Sequence, residues 1–175
     1  MEYRPLGQTG LEVSSIGLGC VTFGREIDKA TSFDVLDHAL ERGINLLDTA
    51  EAYAAGESER VVGEWMADRG VRDRVVLATK VSGTLTRERV ITSAEESLQR
   101  LGVDVIDLFQ LHVFDDSTPW TRPWRPSTRW WNRARSSTSV AATGGRGRWP
   151  CPGWVGLRRG PPNGIGAAAL QPRAA

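Results

Sequence analysis

The sequence predicts an α/β fold, namely a partial TIM (β/α)8 barrel with an N-terminal hairpin and the first four βα units, followed by a disordered or irregular tail. Apolar, strand-like runs alternate with stretches of helical spacing, which is typical of parallel βα units in doubly wound sheets and in barrels alike. Polar side chains end three consecutive strands, as they do at the carboxyl face of a barrel, and this feature favours the barrel.

The first predicted elements are a hairpin, a strand and a helix. Tyr3–Leu6 and Leu11–Ser14 are short extended segments around a glycine-containing turn, which predicts two antiparallel strands. Ser15–Gly19 is a small apolar strand that ends in glycine. Apolar residues then recur at helical spacing from Asp28, and Gly43 ends that helix.

The alternation continues through three further strands and two helices. Ile44–Leu47 and Val75–Thr79 are apolar runs, as expected for strands that are covered on both faces. Between them, Ser58 is predicted to cap a helix that ends near Gly70. The pattern closes with one more helix and one more strand, at residues 86–102 and 105–111.

The charge distribution divides the chain near residue 119. Residues 1–119 carry all 21 acidic residues and 12 basic ones, a net charge of −9, whereas residues 120–175 carry ten Arg and no acidic residue. The second segment also holds six of the seven Trp. We therefore interpret residues 1–119 as the N-terminal half of a barrel and residues 120–175 as a tail rich in Arg, Trp, Pro and Gly that is not a domain.

The sequence gives no signal of export, metal binding or membrane insertion. Its two cysteines, Cys20 and Cys151, lie on opposite sides of the division and show no metal-ligand or disulfide spacing, which fits a reducing compartment. There is no basic-then-apolar leader, and no apolar run reaches the roughly 18 residues of a membrane span. We expect a cytoplasmic protein without a metal site or a membrane partner, and no sequence pattern predicts its oligomeric state.

Four chemically useful side chains lie at the ends of the predicted strands. Asp48 follows the strand at 44–47 and Tyr53 lies on the loop after it, while Lys80 and His112 follow the next two strands. Taken singly, each has a more common structural explanation, as a turn, rim or core residue. Lys80 is one of only two lysines against 20 arginines, which favours a specific need for a titratable amine. Together the four predict a proton-transfer site.

Several segments, in order and at ordinary spacing, resemble the aldo-keto reductases over about residues 2–119. They are Pro5–Leu11, Gly17–Gly24, Asp48–Tyr53 with Gly56–Glu59, Ala78–Lys80 and Asp107–His112. One departure is visible, because the family commonly has Gly directly after the tyrosine and this chain has Ala54. The change affects the loop but removes no reactive group.

The resemblance implies NADPH-dependent reduction of an aldehyde or ketone to an alcohol. It implies that Tyr53 donates the proton, that Lys80 and Asp48 are its partners, and that His112 orients the carbonyl of a small-molecule substrate. A phenol with an ordinary pKa of about 10 is a weak acid near pH 7, and a neighbouring ammonium would lower that pKa by stabilising the phenolate. For NADP(H), the resemblance implies contacts from Asp48 and from the loop residues Gly19, Cys20, Val21 and Thr22.

The tail lacks the family's continuation, an amphipathic helix and then a strand that ends in Ser-Asn. Its composition is typical of GC-rich coding sequence read in the wrong frame. When the last base of each codon is joined to the first two bases of the next, Trp120-Thr121 specifies Asp and Trp131-Asn132 specifies Glu. Permitted codons elsewhere give a helix, LDETLEALDTVVEQGKV, over 120–136 and a strand, LYIGCSNW, over 137–144. We interpret the tail as out of frame after a one-base shift near Pro119.

A chain without the later strands would lack most of the family's nucleotide-binding surface, so we expect impaired reduction. Two alternatives stay open. One is a non-catalytic fragment or regulatory scaffold, and the other is nucleic-acid binding through the ten arginines and six tryptophans of the tail. No nucleic-acid-binding fold motif accompanies the tail, which disfavours the second alternative. The residues do not specify which carbonyl compound is reduced, nor a preference for NADPH over NADH.

Resequencing the genomic DNA across codons 117–122 tests the frame hypothesis. We expect one base to be gained or lost in this window relative to a frame that encodes the helix and strand given above. Confirmed bases that keep the printed frame intact would reject the hypothesis.

Overall fold

In the computed structural model, which describes residues 1–7, 9–113 and 139–142, the chain begins with an antiparallel hairpin. Strand β1 (Tyr3–Pro5) pairs with β2 (Glu12–Ser14). Asn45 attaches the hairpin to the sheet, because its Oδ1 accepts from the Ser14 amide at 2.7 Å and its Nδ2 donates to the Glu12 carbonyl at 2.9 Å. The predicted hairpin is confirmed.

In the described ranges, the main sheet has five parallel strands that lie side by side in chain order. They are β3 (Gly17–Gly19), β4 (Leu46–Asp48), β5 (Val76–Val81), β6 (Leu108–Leu111) and β7 (Ser139–Ala142). A doubly wound sheet reverses its strand order at a switch point, whereas the wall of a barrel does not. The unbroken order therefore confirms the predicted partial barrel.

Within the described part of the chain, three helices cover one face of this sheet. They are α1 (Lys29–Glu41), α2 (Glu57–Arg69) and α3 (Arg87–Leu101), and each connects two neighbouring parallel strands. Right-handed crossovers place such helices on the same side, and here α1 packs against α2 and α2 against α3. The largest fully buried apolar side chains of the described residues form the core with the sheet: Trp65, Phe23, Phe109, Leu36, Leu47, Met66, Leu77 and Leu101.

The packing of α2 on α3 depends on one glycine. A Cβ atom at Gly63 would lie 2.3 Å from the carbonyl oxygen of Leu101, which is far inside van der Waals contact. Only a residue without a side chain lets the middle of α2 approach the end of α3 so closely. This close approach packs the end of α3 against the middle of α2.

The start of α2 differs from the prediction. Gly56, with φ +87°, occupies the N-cap position of α2. It is also the last residue of a short 3-10 turn over Tyr53–Gly56. Ser58 is instead fully buried within the first turn, where its hydroxyl donates to the Cys20 carbonyl at 2.7 Å. The Ser58 hydroxyl thus binds the loop after β3 instead of capping α2 as the sequence predicts.

Strand β7 is an element that the sequence analysis does not predict. It pairs in parallel with β6, with Ser139 opposite Leu108 and Ala142 opposite Leu111. Its backbone forms hydrogen bonds with N–H and C=O groups of β6 that would be unpaired if β6 were the edge strand. The rest of the predicted tail, at 120–138 and 143–175, lies outside the described residues, and so do all ten arginines and six tryptophans considered for nucleic-acid binding. No helix of the described ranges is long and apolar enough to cross a membrane.

Candidate active site

The four predicted residues meet at the carboxyl edge of the sheet. Asp48, the last residue of β4, is in register with Ala78 of β5, so Lys80 lies two residues further along the same face. Lys80 Nζ donates to Asp48 Oδ2 at 2.8 Å, to the Thr49 carbonyl at 2.9 Å and to the Tyr53 hydroxyl at 3.2 Å. The Lys80 side chain is only 8% exposed, and its ammonium has three acceptors in this buried position.

Tyr53 is held between the lysine and the histidine. Its amide donates to the Ala50 carbonyl at 3.0 Å, which fixes the start of the 3-10 turn. The ring meets His112 edge to face, with centroids 5.5 Å apart and planes at 83°, and its centroid lies 4.8 Å from Lys80 Nζ. The phenol is thereby fixed at the edge of the sheet, in contact with the Lys80 ammonium.

His112 follows β6 and stays attached to β5. Its amide donates to the Val81 carbonyl at 2.9 Å, and its Nδ1 lies 3.1 Å from the Ser82 hydroxyl. Burial, and then the nearby Lys80 ammonium, lower the pKa of His112 below its ordinary value of 6.5. The imidazole is therefore neutral at pH 7, when it can donate a hydrogen bond from one ring nitrogen and accept at the other.

The predicted cofactor residues lie beside Asp48. Gly19 is in register with Asp48, and no atom lies within 4 Å of the position that a Cβ would take there. Val21 is exposed and Thr22 is half-buried, and the Asp48 side chain is itself 37% exposed. The end of β3 therefore offers open space next to a carboxylate.

Cys20 is placed differently from its predicted neighbours. Its side chain is completely buried, and burial followed by the Asp48 charge raises the pKa of its thiol to about 12. Its amide donates to the Asp48 carbonyl at 2.9 Å, and its own carbonyl accepts from Ser58. Because side chains alternate along an extended segment, the residue after Gly19 points into the core. The thiol is thus directed away from the face that bears Asp48.

Sequence reasoning missed the polar residues that hold the site's loops together. Thr49 Oγ1 and Ser58 Oγ lie 2.9 Å apart in the buried layer behind the site. Glu59, completely buried, accepts from Thr79 Oγ1 at 2.6 Å and from Arg100 Nε at 2.5 Å. Period-two alternation from the strand ends could have identified the layer, because Thr49 and Thr79 are neighbours of Asp48 and Lys80 on the opposite face.

Glu51 and Ser82 form a second missed group. Glu51 lies between Asp48 and Tyr53 in the chain, and its side chain is only 8% exposed. Burial raises the pKa of its carboxyl, but hydrogen bonds from Ser93, the Ser82 amide and Arg89 hold the pKa below the ordinary value. Glu51 is therefore a buried carboxylate beside the site.

The loop that carries Tyr53 contains two alanines with left-handed backbone. Ala54 has φ +49° and Ala55 has φ +53°, whereas Ala52 has an ordinary φ of −76°. A side chain in the left-handed region is strained by about 1–2 kcal/mol. The family's usual glycine after the tyrosine would relieve that strain, so the departure at Ala54 has a structural cost.

No cluster of three or more His, Cys, Asp or Glu side chains that could hold a metal ion occurs within residues 1–7, 9–113 and 139–142.

Residues 15–143 match the Aldo/keto reductase family. The chain is 40% identical to the uncharacterized oxidoreductase YrpG of Bacillus subtilis (strain 168) over 142 residues, which covers 71% of this chain and 44% of YrpG. It is also 40% identical to the aldo-keto reductase YhdN of the same organism over 132 residues, covering 68% of this chain and 40% of YhdN. The chain thus spans less than half the length of these two relatives.

The fold is similar to a solved aldo-keto reductase structure. The match to AKR11C1 from Bacillus halodurans, in its holo form, has a TM-score of 0.68 and 30% sequence identity. It covers 81% of this chain and 50% of that one. The likeness agrees with a parallel sheet in barrel order.

Replacing Ala54 with Gly should stabilise the chain by about 1 kcal/mol, because glycine adopts a positive φ without steric cost. Ala52→Gly is the matched control, and we expect it to destabilise by about 0.5–1 kcal/mol, since its backbone is helical and gains nothing from glycine. Urea unfolding followed by far-UV circular dichroism measures both. Equal effects of the two substitutions would contradict the strain at Ala54.

His112 should titrate below pH 6.5 in the folded chain. The unfolded chain then binds a proton at higher pH than the folded chain, so the contribution of His112 to stability is complete above pH 6.5 and falls as the pH drops toward the folded pKa. NMR titration of the histidine ring signals measures this pKa. Lys80→Met should raise it, because the repelling ammonium is gone; an unchanged or lower pKa in that variant would exclude Lys80 as a cause.

Proposed function

The chain belongs to the aldo/keto reductase family, and on that premise we propose that its site reduces an aldehyde or ketone to an alcohol, with NADPH as the reductant. One observation supports the proposal above all others. The Lys80 ammonium contacts the Asp48 carboxylate and the Tyr53 hydroxyl at once, at 2.8 and 3.2 Å. This is the arrangement that a phenol needs if it is to give up a proton near neutral pH.

The residues at the end of β3 fit the sugar-bearing part of a nicotinamide cofactor. The half-exposed Asp48 carboxylate can accept hydrogen bonds from ribose hydroxyls, and the open space at Gly19 admits a ligand close to the backbone. Val21 and Thr22 border the same space in the chain. Cys20 contributes only through its position, since its thiol is buried. When bound, NADPH supplies the hydride equivalent for the carbonyl carbon.

The protein itself supplies the proton for the reaction. Tyr53 donates its hydroxyl proton to the carbonyl oxygen, and the C=O group becomes a C–H and O–H pair. The phenolate left on Tyr53 is stabilised by the Lys80 ammonium, which is already in contact with the same oxygen. Asp48 balances the charge of the ammonium and holds it in place, so little rearrangement is needed as charge develops.

His112 is suited to hold the carbonyl in position. Its ring lies against the Tyr53 ring, and its lowered pKa keeps it neutral. A neutral imidazole that donates from one nitrogen can bind the carbonyl oxygen without competing with Tyr53 as the acid. Two donors that converge on one oxygen would orient the carbonyl carbon toward the cofactor's side of the site.

We also propose that turnover by the 175-residue chain alone is weak. The site of a barrel enzyme is built from eight βα loops, and the described residues supply those that follow β3, β4 and β5. YrpG and YhdN are aligned with this chain over only 44% and 40% of their lengths. A non-catalytic scaffold with the same four residues is therefore the second candidate, and activity separates the two.

Comparison of Tyr53→Phe with Tyr3→Phe tests the proposal. Tyr3 is the chain's other tyrosine and donates to the Gly43 carbonyl from an exposed position in the hairpin, so its loss should leave the rate unchanged. We expect slow NADPH oxidation with 4-nitrobenzaldehyde at stoichiometric protein, and a loss of about 100-fold or more in Tyr53→Phe. The readout is NADPH absorbance, with NADH in a parallel series.

Binding and turnover together distinguish the candidates. Saturable NADPH binding, followed by quenching of tryptophan fluorescence, without aldehyde-dependent oxidation would favour the scaffold. Oxidation that Tyr53→Phe leaves intact would reject Tyr53 as the acid. If neither binding nor oxidation occurs, the proposal is wrong for this chain.

A further inference from the structure

We propose that Glu51 and Ser82 are positioning residues that fix the proton of His112 on Nε2. The Glu51 carboxylate fixes the backbone of Ser82, and the Ser82 hydroxyl donates to His112 Nδ1. The ring is then left with an N–H on its other nitrogen. The consequence for catalysis rests on the proposed function, but the placement of the proton does not.

Glu51 is fixed at four points. Its amide donates to the Lys80 carbonyl at 3.2 Å. Its Oε1 accepts from the Ser82 amide at 2.6 Å and from Arg89 Nη2 at 2.5 Å, and its Oε2 accepts from Ser93 Oγ at 2.5 Å. Two of these partners lie on α3, so the carboxylate ties the loops after β4 and β5 to that helix.

The Glu51 carboxylate is not placed to touch a substrate. Its side chain is 8% exposed, and both of its oxygens already accept hydrogen bonds. Hydrogen bonds hold its pKa below the ordinary value, so it stays an acceptor at neutral pH. It therefore acts on the site through the residues that it holds. Glu51 lies two residues before Tyr53 in the chain, and its amide is hydrogen-bonded to the Lys80 carbonyl. Glu51 is therefore in the middle of the site.

Ser82 links the Glu51 carboxylate to His112. Side chains of Lys80 and Ser82 lie on the same face of the extended chain, and Ser82 Oγ is 3.1 Å from His112 Nδ1. Among the described residues, the ring nitrogen is the partner found for this hydroxyl. A hydroxyl that donates to Nδ1 requires an unprotonated Nδ1, and the neutral ring then has its proton on Nε2.

The opposite tautomer would be unsuitable for the proposed reaction. With the proton on Nδ1, the ring would donate to Ser82 and present a lone pair at Nε2. A lone pair repels a carbonyl oxygen, whereas an N–H binds it. The positive charge of nearby Lys80 disfavours protonation of both ring nitrogens, so the ring is neutral and has one tautomer or the other. Ser82 thus decides whether His112 is a donor or an acceptor toward the substrate.

NMR of the full 175-residue chain, labelled with 15N at histidine, tests the proposal. Long-range 1H–15N correlations report which ring nitrogen holds the proton, and His38→Asn assigns the two histidines. We expect a single Nε2–H tautomer for His112 above its titration. Ser82→Ala should replace it with a mixture of both tautomers, and Ser82→Thr, which keeps a hydroxyl, should retain the single form.

Glu51→Ala has a matched control in Glu59→Ala. Both glutamates are buried carboxylates with one arginine and one hydroxyl partner, but the side-chain contacts of Glu59 reach Thr79 and Arg100 rather than Ser82. Glu51→Ala should give mixed tautomers and Glu59→Ala should not. Equal effects would show general loosening and overturn the role of Glu51. If either glutamate variant does not fold, the comparison of Ser82→Ala with Ser82→Thr still tests the role of the Ser82 hydroxyl.

Two results would overturn the proposal outright: an Nδ1–H tautomer in the unsubstituted chain, or a single Nε2–H tautomer that persists in Ser82→Ala. The measurement needs neither cofactor nor substrate. A chain that reduces no aldehyde but shows these tautomer changes would contradict the proposed function and leave the positioning role intact.

Discussion

The burial of one ammonium group is the constraint on which the rest of the site depends. Lys80 is 8% exposed, and a charge so removed from water must be paired and hydrogen-bonded. The parallel register of β4 and β5 satisfies this need, because it puts Asp48, the Thr49 carbonyl and the Tyr53 hydroxyl around Lys80 Nζ. The loop after β4 is thereby pulled over the end of β5. The Tyr53 phenol is placed by the same contacts that stabilise the buried charge.

A second set of polar contacts, behind and beside this group, keeps the loops in register. Ser58 joins α2 to the loop after β3, and Glu59 joins α2 to β5 and α3. Glu51 joins the loops after β4 and β5 to α3. Each is a buried polar group whose partners lie on other elements, so the removal of one partner leaves an unsatisfied group. The loops around the site are therefore joined by side chains other than the four proposed site residues.

The sheet extends beyond the segment whose sequence resembles the family most clearly. The family match runs to residue 143, past the change in composition near residue 119, and it includes β7. Strand pairing uses backbone groups, so β7 can lie beside β6 without a distinctive side-chain pattern. Strands β3 to β7 form one continuous wall in chain order. The carboxyl edge of that wall has the four proposed site residues at β4 to β6 and open space at β3.

The sequence by itself determined the kinds and order of the elements from β1 to β6 and the positions of the four proposed site residues. Apolar runs, helical spacing and terminal glycines are local signals, and the positions of Asp48, Tyr53, Lys80 and His112 at strand ends are visible in one dimension. Only the tertiary structure decided what those residues touch. The Lys80–Asp48 contact joins residues 32 apart, and the inward turn of Cys20 and the use of Ser58 follow from strand register and loop packing. The alternation of side chains along a strand is a local property, whereas the face that is buried and the hydrogen bonds between loops depend on how distant strands align.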